Sequence, residues 1–141
     1  MQRTATAGAG PSVCSAGSLT ASQQELVIRH LPLQISVIDE DGILVFWHGD
    51  LFADCDPRFI GAHVDACHAE RSRDMIARME EAFRAGSQDE AVFRRLEDGR
   101  LILVRYCALR DGEGAYRGMM ETLQDITDLR GLEDEKLDLD W

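Results

Sequence analysis

Apolar positions along this chain repeat with two different periods, and the switches between them outline its elements. From Thr20 to about Leu31, Leu26, Val27 and His30 fall on one side. Thr20 or Ser22 offers a cap and Pro32 stops the run, so a short helix is predicted. Leu33 to Asp39 and Ile43 to Trp47 read as two strands around Asp39-Glu40-Asp41-Gly42, a turn sequence whose glycine supplies positive φ. His48 to Ala69 keeps no period and is broken by Gly49, Pro57 and Gly61, which predicts loops and short helical turns. Met75, Ile76, Met79 and Phe83 then recur at helical spacing, with Ser72 as cap and Gly86 as terminator. Asp89 to Leu96 is a third strand, and Asp98-Gly99 is a tight turn. Leu101 to Leu109 is apolar on both alternating sets and reads as a central strand. The charged, glycine-punctuated stretch Arg110 to Gly114 returns it into Tyr116 to Leu123.

The order is strand, strand, short helices, longer helix, strand, strand, strand. It predicts an α+β fold: a five-stranded antiparallel sheet with helices between the second and third strands, plus N-terminal and C-terminal helices. Residues 1–18 are small and polar and cannot repay the entropy of ordering, so a disordered tail is expected there, with the domain over 19–127. Residues 128–141 read as an acidic exit helix or tail with Leu129, Leu132 and Leu139 as a thin apolar stripe.

Charge narrows the function. A net charge of −11 argues against a nucleic-acid or anionic-membrane surface. No apolar run is long enough to span a bilayer, and the first residues lack the apolar centre of a secretion signal, so a cytoplasmic protein is expected. The four cysteines, Cys14, Cys55, Cys67 and Cys107, form no paired motif and read as reduced thiols. His48, Cys55, His63 and His68 lie near one another in sequence, but at spacings that match no standard metal framework. Arg105 is the one charge inside the central run. Taking Arg110 and Tyr116 as the last pair of the hairpin puts Arg105 opposite Glu121 as a cross-strand ion pair. Alternatively it faces a cavity and holds a ligand carboxylate.

Four segments carry a family resemblance: Val64-Asp65-Ala66-Cys67-His68-Ala69-Glu70-Arg71-Ser72, Val104-Arg105-Tyr106, Gln124-Asp125-Ile126-Thr127 and Leu139-Asp140-Trp141. Together they resemble the PAS sensory domain. The resemblance extends to the subgroup found at the C-terminal end of bacterial proteins of unknown function that often carry a hemerythrin-like domain. It implies a signal-sensing module, not an enzyme. Such a module binds a small ligand or heme between sheet and helices and relays occupancy through its terminal helices; the alternative is a ligand-free dimerisation or protein-interaction module. It also implies a homodimer or a signalling partner protein. The expected ligand-binding residues are His68, Cys67, Arg105, Trp47, Met75 and Met79, with His68 as the iron ligand if heme is held. The other reading of His68 is a loop histidine bonded to backbone.

The two apolar sets of the central run, Leu101, Leu103, Cys107 and Leu109 against Ile102, Val104, Tyr106 and Ala108, cannot both be covered by the helices between the strands. The second face is expected under the N-terminal helix or a second chain.

Overall fold

The computed structural model describes residues 16–51, 57–133 and 136–137. Helix α1 spans Ala21–Arg29 and is opened by a reciprocal cap: the Gln23 N–H donates to the Thr20 hydroxyl, and the Thr20 N–H donates to the Gln23 side chain. Strands β1 (Gln34–Asp39) and β2 (Leu44–His48) form the first hairpin. Its turn is held by the Asp39 carboxylate, which accepts the N–H groups of Asp41 and Ile43. Two 3-10 turns, Pro57–Phe59 and Val64–Ala66, lead into helix α2 (Glu70–Ala85). Strands β3 (Glu90–Glu97), β4 (Arg100–Arg110) and β5 (Tyr116–Asp125) follow, and a 3-10 turn at Thr127–Leu129 leaves the sheet.

All five strands pair antiparallel in the order β2-β1-β5-β4-β3, so the two strands at the chain's ends of the domain, β1 and β5, are neighbours in the middle. Asp98 and Gly99 both take positive φ, as a two-residue turn between β3 and β4 requires. Helix α2 ends at Gly86 in the left-handed conformation. It begins two residues before the expected Ser72, at Glu70, with Ala69 as a cap that makes no side-chain bond. Ile76, Met79 and Phe83 of α2 meet Ile102, Val104 and Tyr106 of β4, Met119 and Leu123 of β5, and Ile38, Leu44 and Val64. This core lies on one face of the sheet.

Three expectations are corrected here. The C-terminal helix is, among the described residues, a single 3-10 turn: residues 130–133 and 136–137 are not helical, and Leu129, Leu132 and Leu137 are exposed. Leu129 and Leu132, the described residues of the apolar stripe, are not buried, and helix propensity alone does not hold a short helix. Helix α1 does not cover the outer face of the sheet, for it buries none of its residues and leaves Leu26, Val27 and Ile28 exposed.

The third correction is one of register. Arg110 does pair with Tyr116, but the next pair is Leu109 with Gly118, so Arg117 is an extra residue in β5. From there on Arg105 lies opposite Thr122, and Glu121 points to the other face. Arg105 is on the outer face, where it makes an ion pair of 2.9 Å with Glu90 of β3. Gly118, at φ 132, sits so close to β1 that a Cβ there would lie 2.2 Å from the Ile38 carbonyl oxygen. Residues 1–15, with Cys14, and the segment 52–56, with Cys55, lie outside the described residues, as do Leu139, Asp140 and Trp141.

Candidate functional site

The bulge at Arg117 sets the side chains of β5 so that Met119, Glu121 and Leu123 face α2. Pairing then aligns Ser36 of β1, Glu121 of β5 and Tyr106 of β4 in one row across the three central strands. The row is polar and buried: Glu121 is 8% exposed, Tyr106 5% and Ser36 1%. Glu121 accepts two hydrogen bonds, at 2.7 Å from the Tyr106 hydroxyl and at 3.0 Å from the Ser36 hydroxyl. Both donors are neutral. Among the described residues no Lys or Arg makes an ion pair with Glu121.

Two members of this row, Tyr106 and Glu121, form part of the floor of a cavity of about 660 Å³ between the sheet and the start of α2, with Ser36 behind them. Cys67, His68 and Met75 belong to its wall, with Ile76, Phe93 and Val104 as further apolar lining. Arg71, Arg95 and Glu97 lie around it, and the Arg95 guanidinium donates to Glu97. Phe93 and Tyr106 meet edge to face, with ring centroids 6.1 Å apart.

His68 is placed by the 3-10 turn at Val64–Ala66 just upstream. Its Nδ1 lies 3.0 Å from the Val64 carbonyl, and the Cys67 sulfur donates to the same oxygen at 3.1 Å. Burial works against a charge on the ring. The Cys67 sulfur, 3.5 Å from Nδ1, the Val64 carbonyl and the charge of Glu121 outweigh it, and the pKa rises to about 9. His68 is therefore a cation at neutral pH, facing a cavity with a carboxylate in its floor.

The expected site residues divide by position. His68, Cys67 and Met75 come together at the cavity. Arg105 does not, because the sheet separates it from the cavity. Trp47 is half-buried against the core, and its indole N–H donates to the Gly49 carbonyl at 2.8 Å; it is not among the cavity-lining residues. Met79 is packed in the core under α2, beside a shallower hollow of about 290 Å³ that it shares with Met75. Among the described residues no group of His, Cys, Asp and Glu is arranged to hold a metal ion. The residues that sequence reasoning missed are Ser36, Tyr106 and Glu121. The signal that could have found Glu121 is Gly118, since a glycine inside a strand pattern marks a bulge and a change of register.

A profile of the PAS domain family matches residues 25–127, most of the chain. The chain belongs to that family. No curated protein matches it as a relative. Among solved structures, this PAS domain is similar to a C-terminal domain from Streptococcus mutans, at 27% identity and a TM-score of 0.72, over 84% of this chain and 93% of that one. It shares its fold with a PAS domain from Colwellia psychrerythraea, at 18% identity and a TM-score of 0.58, over 76% of this chain and 97% of that one. A sensory box sensor histidine kinase from Vibrio cholerae has the same fold at 11% identity and a TM-score of 0.52, over 74% of this chain and 88% of that one. No described helix of this PAS domain is long and apolar enough to cross a membrane.

Proposed function

We propose that this PAS domain is a sensing module whose cavity between α2 and the sheet takes a small organic ligand, and that occupancy is passed to a partner through the segments at its ends. The observation that carries this reading is the buried Glu121–Tyr106 pair, backed by Ser36, which borders a cavity instead of lying in a sealed core. A carboxylate in so buried a place is costly unless its charge has work to do. The likeness in fold to a sensor histidine kinase supports a signalling role, and the Cys67-His68 segment supports placement in the hemerythrin-associated subgroup.

Heme on His68 is the less favoured occupant. Iron must displace a proton from the ring, and the surroundings of His68 favour its charged form. The apolar face of a porphyrin would also lie against the Glu121 carboxylate. We read the module as a sensor and not an enzyme because Cys67 and His68 both spend a hydrogen bond on the Val64 carbonyl.

A ligand-free dimerisation module is the second reading. It is favoured by the apolar surface on α1, where Leu26 and Val27 are about half exposed (50% and 49%), and by Phe46 and Val92 on the outer face of the sheet. Native mass spectrometry of the purified protein separates the two. A co-purifying small molecule that Glu121→Gln releases supports the sensor. A protein that carries and binds nothing, yet dimerises through α1, would replace it with the second reading.

A further inference from the structure

Three charged side chains of the cavity are not paired with each other at ion-pair distance: Glu121 in the floor, His68 in the wall and Arg71 nearby. Arg95 and Glu97, the other two, are paired with one another. The carboxylate of Glu121 is near enough to help hold the proton on His68. Charges of both signs thus border one partly dry space, with Ile76, Phe93 and Val104 as apolar lining beside them.

Each ligand type meets this pair differently. A simple carboxylate entering toward His68 and Arg71 meets the like charge of Glu121. A simple amine entering toward Glu121 meets the charge of His68. A neutral apolar molecule leaves both charges desolvated without a new partner. A compact zwitterion escapes all three difficulties, because it presents an ammonium and a carboxylate together and in the reversed order. An α-amino acid carries both charges on one carbon, which suits protein charges of both signs around one cavity. Glu121 has acceptor capacity left after Tyr106 and Ser36 have each donated one bond.

Resting on the ligand-sensing reading above, we propose that the cavity recognises a zwitterion of the α-amino-acid type with an apolar side chain, its ammonium on Glu121 and its carboxylate on His68 and Arg71.

The test uses matched probes: L-leucine with isopentylamine and 4-methylpentanoate, and L-phenylalanine with 2-phenylethylamine and 3-phenylpropionate. Titration calorimetry and thermal shift of the full chain are expected to rank the amino acid first in at least one set. Loss of either charge should weaken it about tenfold or more. Glu121→Gln should remove the preference for the amino acid over the carboxylate, and His68→Gln should remove its preference over the amine. The two variants are independent, so one that fails to fold leaves the other as the test, with far-UV circular dichroism as the check.

A wild-type protein that prefers the carboxylate, or a folded Glu121→Gln protein whose preference is unchanged, overturns the zwitterion and leaves the sensing reading standing. Binding of no probe in either set also overturns it. The sensing reading falls with it only if native mass spectrometry finds no other small molecule.

Discussion

Arg105→Ala and Tyr106→Phe change adjacent residues of β4 whose side chains leave the sheet on opposite faces, and the register predicts very different costs. Arg105 and its partner Glu90 are about half exposed, at 48% and 50% of their side chains. An ion pair of this kind contributes roughly 0–1 kcal/mol, and alanine keeps the strand. Tyr106→Phe removes only an oxygen. That oxygen is the donor at 2.7 Å to a carboxylate that is 8% exposed, and among the described residues Ser36 would be left as its donor. Loss of a hydrogen bond to a charged, buried group costs roughly 1.5–3 kcal/mol. On the scale of roughly 4 °C per kcal/mol for a domain of this size, Tyr106→Phe should lower the thermal midpoint by roughly 6–12 °C, and Arg105→Ala by less than about 4 °C. The measurement is paired thermal and urea unfolding by far-UV circular dichroism, on protein dialysed free of small molecules, because a bound ligand would add its own stabilisation. If Arg105→Ala costs as much as Tyr106→Phe, then Arg105 is the inward residue, the hairpin is paired one residue differently, and Glu121 is not in the cavity floor.

Gly118→Ala should cost roughly 3 kcal/mol or more, or abolish folding, since the added Cβ meets the Ile38 carbonyl oxygen at positive φ; Gly114→Ala, also at positive φ but in open space, should cost only about 1–2 kcal/mol in urea titrations. Phe83→Ala, at the fully buried centre of the core, should cost roughly 3–5 kcal/mol by the same measurement. The proton on His68 is held more tightly in the folded state than in the unfolded chain, so its contribution is complete below about pH 6.5 and is lost as pH rises through about 9. The stability of the wild type relative to His68→Gln should therefore fall across that window, and parallel profiles of the two proteins would show that the ring is not protonated in the fold.

The elements that were legible in the sequence are those whose own residues decide them. The turn Asp98-Gly99 needs two residues at positive φ, and those two supply it. Helix α2 shows its period through Ile76, Met79 and Phe83, and Gly86 ends it. Its start was misplaced because Ala69 caps it without a side-chain bond; the chain is instead delivered there by the Val64–Ala66 turn, whose carbonyl at Val64 gathers Cys67 and His68. Position near the helix start thus put His68 and Cys67 on the right side of the domain. The described part of the exit segment, read as a helix or a tail, departs from the helix for the opposite reason. Its leucines have the spacing of a helix, but a helix this short forms only when its apolar side is buried, and burial is not a property of the segment itself.

The cavity floor was hidden because it depends on one extra residue in β5. Side chains in a strand alternate, so a single inserted residue sends every later one to the other face. Arg117 is that residue, and its position has a local cause: its guanidinium donates to Asp111 at 2.8 Å and to Glu40 at 3.0 Å, both outside the core. Beside it Gly118 brings β5 against the backbone of β1 more closely than any side chain would permit. The consequence reaches three residues further along, where Glu121 turns from a partner of Arg105 on the surface into the buried acceptor of Ser36 and Tyr106. The strand run of β5 reads the same with or without the bulge, since Met119 and Met120 are both apolar and either could face the core. Alternation therefore gives no warning, and only the glycine does. A charge whose face is decided by a neighbouring bulge is where strand periodicity is least informative, and in this domain that charge is part of the cavity.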